Sequence, residues 1–208
     1  MEQELLWSKR YRDAGDEYLF GTGPNRFLAR RAELLASGRN AMSVGDGEGR
    51  NSVWLAEQGL DVTAVEISGV AIEKARRLAV GRGVDVDFVR ADVMAPHWPP
   101  TEFTGAFDWV VGIFIQFVGA AARERQFAAM KQLVRPGGRI LLQGYTPKQL
   151  EYRTGGPSAV ENLYTSELLR DAFSDWEIEE LVEYEDDLSE GTAHRGCSAL
   201  IGLVVRKP

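Results

Sequence analysis

Apolar residues recur with two different periods along residues 40–145, and the order of these periods predicts the fold. Strand-like apolar runs lie at 40–44, 61–65, 84–88, 107–114 and 140–142. Segments with the helical spacing of apolar residues separate these runs. Because strand and helix patterns alternate, we expect a parallel α/β sheet with right-handed crossovers. The most apolar run, 107–114, predicts a central strand that is buried on both faces.

The spacing also places two of the intervening helices. Ser68 is the expected N-cap of a helix that runs through Val80, and a second helix is predicted over 120–133. Lys74 is predicted to lie on the solvated face of the first helix. The segment Arg-Pro-Gly-Gly at 135–138 is typical of a turn before the last parallel strand.

The alternation ends after residue 145. A polar loop and a short helix over 167–173 are followed by strands at 176–184 and 200–205. Because no helical pattern lies between these two strands, we expect an antiparallel pair. The acidic segment 185–196 is predicted to be the loop that joins them.

The N-terminal segment is rich in aromatic side chains. Trp7 and Tyr11 are four residues apart, so they share one face of a predicted helix. In one interpretation this face packs on the core, and in the other the segment forms a lid over a small-molecule site.

Length, charge and cysteine content bound the possible functions. The 208 residues are enough for a single domain, which we divide into a lid and helix at 1–38, a core at 39–145, and a substrate-side loop with the C-terminal strand pair at 146–208. The net charge of −7 disfavours nucleic acid as a partner, because phosphate binding needs a basic surface. The single cysteine, Cys197, excludes an intramolecular disulfide and a cysteine-based zinc site.

No apolar run approaches the roughly 20 residues that a membrane-spanning helix needs, and the acidic start lacks the features of a signal peptide. We therefore expect a cytoplasmic protein, monomeric or homodimeric, that acts without a membrane. The acidic run at 183–187 is typical of a solvated loop, so no metal site is predicted.

A glycine-rich segment follows the first strand and precedes a helical pattern. Gly45, Gly47 and Gly49 have the spacing G-x-G-x-G, whereas a dinucleotide fingerprint needs its third glycine at position 50, which is arginine. Such a loop lets a ligand approach the main chain and the N–H groups at the start of the helix. Alternatively, the glycines form a tight turn that serves packing alone.

Two acidic residues follow at the ends of predicted strands. Glu66 lies about 20 residues past the first glycine, where a carboxylate can bind both hydroxyls of a ribose. Asp92 follows the third strand and can accept a hydrogen bond from an adenine amino group, with Val93 packed beside the ring. Alternatively, Glu66 is a solvated side chain and Asp92 caps a turn.

These features occur in the order that is seen in class I S-adenosylmethionine (SAM)-dependent methyltransferases. The resemblance covers residues 40–145 and rests on the glycine loop, Glu66, Asp92, Phe107-Asp108 and the Pro-Gly-Gly turn. More loosely, the chain is similar to the small tellurite-resistance and thiopurine-type methyltransferases in Gly49-Arg50-Asn51-Ser52, in the Trp7/Tyr11 segment and in His194-Arg195.

The resemblance implies a Rossmann-like, doubly wound sheet of seven strands, mostly parallel with an antiparallel last strand and with helices on both faces. It also implies that SAM lies over the glycine loop as the cofactor. The residues that it assigns to the cofactor are Gly45, Asp46, Gly47, Glu66, Ile67, Asp92, Val93 and Gly112.

One departure from the family pattern concerns the residue two before the first glycine. That position is usually acidic and helps to anchor the methionine ammonium, but here it is Ser43. Either Asp46 replaces the missing carboxylate, or cofactor affinity is weakened, or the cofactor prediction is wrong.

The methyl acceptor is harder to predict from the sequence. His194 is the best candidate for a base because its ordinary pKa lies near neutrality, and Arg195 could hold an anionic acceptor. Alternatively, both lie on a surface loop. Aromatic residues predicted to line the substrate pocket or lid are Trp7, Tyr11, Phe114 and Tyr145.

We therefore predict transfer of a methyl group from SAM to a small molecule, with a thiol, a metalloid oxyanion, a hydroxyl or an amine as acceptor. Two alternatives remain at this point. A non-catalytic SAM-binding module is compatible with Ser43 and with the lack of an evident base. A nicotinamide-dependent oxidoreductase is compatible with the strand–glycine–helix–acid order, although position 50 disfavours it.

Overall fold

The computed structural model describes residues 2–35 and 38–208. Within these residues the strands are β1 Asn40–Val44, β2 Asp61–Glu66, β3 Asp87–Arg90, β4 Phe107–Ile113, β5 Val134–Tyr145, β6 Glu177–Glu190 and β7 His194–Arg206. The α-helices are α1 Glu2–Asp13, α2 Arg26–Ala29, α3 Ala32–Leu35, α4 Arg50–Glu57, α5 Gly69–Arg82, α6 Ala120–Leu133, α7 Gln149–Tyr152 and α8 Ser166–Ala172. None of the helices in these ranges is both long and apolar enough to cross a membrane.

The strands form one mixed sheet in the order β3-β2-β1-β4-β5-β7-β6. Strands β1 to β5 pair in parallel, and β7 pairs antiparallel with both β5 and β6. The predicted fold class, a doubly wound and mostly parallel sheet with an antiparallel last strand, is therefore confirmed. Because β1 lies between β2 and β4, the order reverses at β1, which is where open α/β sheets bind ligands.

Both faces of the sheet are buried, because successive side chains of the central strands point to opposite sides. On one face Met42, Val110 and Leu142 pack with residues of α6 and α8, such as Phe127. On the other face Trp109 packs with residues of α2 and α4, among others. The two cores fix the parallel strands so that their carboxyl ends meet along one edge.

The hairpin of β6 and β7 differs from its prediction. The strands extend to Glu190 and from His194, so that three residues join them, and most of the predicted loop 185–196 is strand. The reason lies in the position of β6 at the edge of the sheet. Five of its acidic side chains, at 177, 179, 183, 185 and 187, are exposed and discourage pairing with other chains, so most of the charges that suggested a loop belong to an exposed strand edge.

Two other boundaries shift as well. The Arg-Pro-Gly-Gly segment at 135–138 is an irregularity within β5, because Phe107 pairs with Val134 while Trp109 pairs with Arg139. The third strand begins at Asp87 rather than at residue 84, since its pairing with β2 starts opposite Thr63.

Lys74 was predicted to face solvent but is buried, with 2% of its surface exposed. It lies on the inward face of α5, and its Nζ is 2.6 Å from the carboxylate of Glu48, which is also buried. The same ammonium donates to the backbone oxygen of Glu17 at 2.6 Å. The charge of Lys74 therefore fastens the N-terminal segment to the core. In contrast, Ser68 caps α5 as predicted, accepting from the N–H of Ala71.

Candidate active site

A cavity of about 690 Å³ lies at the carboxyl edge of the parallel strands. Its floor is formed by the ends of β1, β2, β4 and β5, and its cover by α1, the segment around Phe20, residues 155–159 and the tip of the β6–β7 hairpin. The volume lies within the usual range of small-molecule sites. We call the part over β1, β2 and β3 the cofactor half and the part over β4 and β5 the acceptor half.

The glycine loop lines the cofactor half with backbone. Gly45, Gly47 and Gly49 all have positive φ, at 63°, 66° and 90°. A Cβ on Gly49 would lie 2.7 Å from the Cβ of Ala75, so this glycine permits the close packing of α4 on α5. A Cβ on Gly47 would lie 3.0 Å from the hydroxyl of Tyr11, so the loop also leaves room for α1. The loop thus serves packing at its third glycine and lines the cavity at its first two.

Glu66 is fixed at the end of β2 with its carboxylate on the cavity wall. One oxygen accepts from the N–H of Gly47 at 3.0 Å and the other from the N–H of Ser68 at 2.8 Å. Burial raises the pKa of the Glu66 carboxyl above its ordinary value, and these two hydrogen bonds oppose the rise. Each oxygen keeps a further lone pair for a ligand.

Asp46 holds a second buried carboxylate next to the first glycine. Ser43 donates its hydroxyl to one oxygen at 2.7 Å, and Ser52 donates to the other at 2.6 Å. Burial raises the pKa of Asp46, and the two serine hydrogen bonds oppose the rise. The serine that replaces the usual acidic residue therefore orients a carboxylate three residues further on. Of the alternatives raised by Ser43, this geometry favours the replacement by Asp46.

The side predicted to hold adenine is more open. Asp92 is exposed and lines the cavity, and one of its oxygens accepts from the N–H of Met94 at 2.8 Å, so it does cap a turn. Ile67 and Val93 also lie on the wall. Gly112, in contrast, is not among the lining residues. A Cβ there would lie 2.7 Å from Ile115 in the core, so the structure does not bring this residue to the cavity.

Aromatic rings line the acceptor half and its border with the cofactor half. Phe114 stacks on Tyr145 in the acceptor half, with ring centroids 4.6 Å apart. Trp7 stacks on Tyr11 at 5.8 Å, and the Tyr11 hydroxyl lies next to Gly47 of the cofactor half. All four predicted rings line the cavity, and Phe20 joins them from the N-terminal segment. Phe114 has a φ of 56°, which is uncommon for a bulky residue and marks backbone strain at this wall.

His194 lines the same half, at the start of β7 rather than on a loop. Its ring lies 4.5 Å from Phe114 and 4.6 Å from Phe20 between centroids. Burial lowers the pKa of His194 below its ordinary value, while Glu190 opposes the shift. The imidazole is therefore neutral near pH 7 and able to accept a proton.

Arg195 does not reach the cavity. Neighbouring residues of a strand point to opposite faces, so the burial of His194 turns Arg195 outward. Its side chain is exposed, and Nε donates to the backbone oxygen of Gly191 at 2.9 Å. The predicted contact of Arg195 with an anionic acceptor is not supported by this placement.

Sequence reasoning missed Phe20, Arg50 and Glu190. The guanidinium of Arg50, in the first turn of α4, lies 2.8 Å from the Glu190 carboxylate, and both side chains are buried. The position of Arg50 directly after the glycine loop could have pointed to it. Nothing local distinguishes Glu190 within its acidic run, because its partners are distant in the sequence.

Fold and cavity together narrow the class of protein. The strand order, with a glycine loop at its reversal point, is that of a doubly wound, Rossmann-like sheet that binds its ligand at this point. Residues 41–138 match the model of a family described as a methyltransferase domain. Over residues 41–138 the chain is therefore similar to a methyltransferase domain.

A curated relative is the demethylmenaquinone methyltransferase of Thermus thermophilus, which is 30% identical over 134 residues. The aligned region covers 62% of this chain and 59% of that protein, so less than two thirds of the relative's length is matched.

Solved structures share the fold over nearly the whole chain. One is described by the conversion of a disulfide bond into a thioacetal group during echinomycin biosynthesis. It has a TM-score of 0.81 and a sequence identity of 18%, and the alignment covers 98% of this chain and 91% of that chain. TehB from Haemophilus influenzae has a TM-score of 0.71 and 19% identity, with 99% of this chain and 67% of that chain covered. At these identities the likeness concerns the fold alone.

Proposed function

We propose that the protein transfers the methyl group of SAM to a small-molecule acceptor that carries a thiol, hydroxyl, amine or metalloid oxyanion. The observation that carries the proposal is a difference among five buried carboxylates. Three of them, Glu48, Glu190 and Asp108, are paired with a cation, respectively Lys74, Arg50 and Arg135. The other two, on the wall of the cofactor half, form no ion pair with any described residue.

Those two are Asp46 and Glu66. Burying an ionised carboxylate without a counter-ion is costly, so such groups persist where a ligand compensates for them. SAM fits this site because it offers a sulfonium, an ammonium and two ribose hydroxyls, all of which favour an acceptor-only carboxylate. A nicotinamide dinucleotide would instead bring a pyrophosphate towards these carboxylates, so the site favours SAM over that alternative.

When bound, SAM supplies a methyl group that its positive sulfur already activates. The task of the protein is to align an acceptor with that methyl group and to exclude water. We assign the exclusion of water to the aromatic walls, Trp7, Tyr11, Phe20, Phe114 and Tyr145. Neutral His194 accepts the proton from an acceptor that carries one.

The chemistry of the acceptor follows from the same walls. The rings favour a small molecule with apolar or polarisable surface, and the neutral imidazole serves an S–H, O–H or N–H group. The relative from Thermus thermophilus is named a demethylmenaquinone methyltransferase, and we propose an acceptor of comparable apolar character. We expect no role for nucleic acid, since the net charge is −7.

A turnover assay tests the proposal. The protein is incubated with SAM and with one acceptor of each class, namely a thiol, a phenol, an amine and an oxyanion of selenium or tellurium, and S-adenosylhomocysteine is measured. We expect acceptor-dependent product with at least one class. Tight binding of SAM without turnover in any class would instead favour a non-catalytic SAM-binding module.

A further inference from the structure

Glu190, at the end of β6, contacts three other parts of the chain: the N-terminal segment, α4 and β7. Its Oε1 accepts from the side-chain amide of Asn25 at 3.2 Å and from the N–H of Arg26 at 3.4 Å. Its Oε2 lies 2.8 Å from the guanidinium of Arg50 and 3.7 Å from Nδ1 of His194. One carboxylate thus touches the N-terminal segment, the helix after the glycine loop and the imidazole of the acceptor half.

The Nδ1 atom of His194 is fully buried and forms no hydrogen bond with any described residue. At 3.7 Å the contact with Glu190 is longer than a formed hydrogen bond, as contacts in active sites often are before the substrate binds. Because Nδ1 faces Glu190 and the ring lines the cavity, Nε2 is the nitrogen left for an acceptor.

We propose that Glu190 is the positioning residue of His194: it holds the ring with a proton on Nδ1, so that Nε2 keeps its lone pair towards the acceptor. The inference rests on the proposed function for its role in turnover. Arg50 holds Glu190 in turn, and Arg50 begins α4 directly after the glycine loop. The orientation of the base is thereby tied to the loop that lines the cofactor half.

In this arrangement the proton balance is simple. The acceptor forms a bond to the methyl carbon, the bond from that carbon to sulfur breaks, and the acceptor proton passes to Nε2 of His194. The resulting imidazolium is stabilised by the negative charge of Glu190 and later releases its proton to water.

The charged and titratable groups around the His194 ring determine the direction in which each variant should shift its pKa. Burial lowers the pKa of His194, Glu190 opposes this shift, and Arg50 and the more distant Arg10 add to it. Tyr145 packs edge-on at 5.9 Å between ring centroids, and burial raises the pKa of its phenol, so it stays neutral. Removal of Glu190 should therefore lower the pKa of His194 further, and removal of Arg50 should raise it.

NMR of the histidine side chains measures this in the full chain, without a known acceptor. The sequence has two histidines, and exposed His97 serves as the internal reference. In the wild type we expect His194 as the neutral Nδ1–H tautomer. Glu190→Gln should lower its pKa and reduce that tautomer, and Arg50→Gln should raise its pKa, while the resonances of His97 stay in place.

Lys74→Met is the matched control, because it also breaks a buried ion pair that fastens the N-terminal segment. It should lower the melting temperature yet leave the pKa and tautomer of His194 unchanged. With an identified acceptor, Glu190→Gln should lower kcat at least about tenfold with little change in the KM for SAM.

Two results would overturn the inference. One is an Nε2–H tautomer for His194 in the wild type, which needs no variant and so remains decisive if a variant fails to fold. The other is a pair of folded variants, Glu190→Gln and Arg50→Gln, that lower stability as Lys74→Met does but leave the His194 titration unmoved. Because these readouts need no turnover, they separate this inference from the proposed methyl transfer.

Discussion

The two halves of the cavity are built in different ways. Predicted residues on the wall of the cofactor half lie between positions 45 and 93, each at or just after the end of a parallel strand. The acceptor half combines Phe20 of the N-terminal segment with the ends of β4 and β5 and with the hairpin tip near 194. The comparison teaches that a local motif can encode the cofactor half, whereas the acceptor half depends on contacts between the two ends of the chain.

The contacts between the two ends of the chain join the backbone of residues 19–21 to the backbone of residues 191–193. Leu19 accepts hydrogen bonds from the N–H groups of Thr192 and Ala193 at 3.0 and 3.1 Å. A Cβ on Gly191 would lie 2.4 Å from the nitrogen of Gly21, so the two backbones touch. The acceptor half is therefore closed by the N-terminal segment resting directly on the hairpin, and changes in either segment should affect this half first.

The largest expected effect comes from replacing His194, the proposed general base of the acceptor half. His194→Gln should lower kcat by about 100-fold or more for an acceptor that must lose a proton, because general-base catalysis is removed. Its dissociation constant for SAM should stay near the wild-type value, since His194 lies outside the cofactor half. Steady-state kinetics and calorimetry measure the two quantities. A variant that kept its kcat would show that His194 is no base.

The next effect is on the attachment of the N-terminal segment. Lys74→Met should destabilise the protein by about 3–5 kcal/mol, because Glu48 is left buried without its counter-ion. The double variant Glu48→Gln/Lys74→Met should recover much of this loss. Urea denaturation gives the free energies of unfolding. Equal stability of wild type and Lys74→Met would mean that the pair contributes little to holding the segment.

Breaking the cofactor half should leave the fold intact. Glu66→Gln should weaken SAM binding about 10- to 100-fold, since it removes a charged hydrogen-bond acceptor from the ligand. The same change removes a buried unpaired charge but leaves one of the N–H groups of Gly47 and Ser68 without its acceptor, so we expect the melting temperature without ligand to change little. Calorimetry and thermal unfolding give both values, and Glu73→Gln, at an exposed site on α5, is a control. Unchanged SAM affinity would show that Glu66 does not bind the cofactor.

Much of the cofactor half and of the parallel sheet could be predicted from the sequence, because the signals are local. The glycine spacing lies within the unit of β1, loop and α4, while Glu66 and the N-cap Ser68 lie within the next unit, β2, loop and α5. Gly45, Gly47 and Glu66 lie on the cavity wall, and their contact with SAM remains a prediction.

The remaining features depend on contacts that the sequence does not display. The burial of Lys74 requires Glu48 and the backbone of Glu17 to meet it. The location of His194 in a strand requires its pairing with Glu190, within a run whose charges suggest a solvated loop. Because successive side chains of a strand point to opposite faces, His194 faces the cavity and Arg195 does not.

The smallest expected effect is a difference in pH dependence between the halves. In the acceptor half, folding lowers the pKa values of both His194 and Glu190. Burial lowers the pKa of His194. Burial alone would raise the pKa of Glu190, but contact with His194 and the charge of Arg50 lower it to about 2. Their stabilisation is thus present above the ordinary values and is lost as the pH falls, first below about 6.5 and then below about 4.5.

In the cofactor half the sign is opposite. Burial raises the pKa of Asp46 and Glu66, so their contribution to stability is present at low pH and is lost as the pH rises through the folded values. His194→Gln should flatten the fall in unfolding free energy just below pH 6.5, and Glu66→Gln should not. Urea denaturation at a series of pH values measures the free energy of unfolding. The same pH dependence in both variants would show that the two halves do not differ in this respect.

The most direct test of the central claim is calorimetry of SAM binding to the wild-type protein near pH 7. We predict one SAM bound per chain, with affinity that falls as the pH is lowered towards the raised pKa values of Asp46 and Glu66. Protonation of these carboxylates removes the negative charge that would attract the ligand. A folded protein that gives no heat with SAM or with S-adenosylhomocysteine, and no thermal stabilisation by either, would contradict the account.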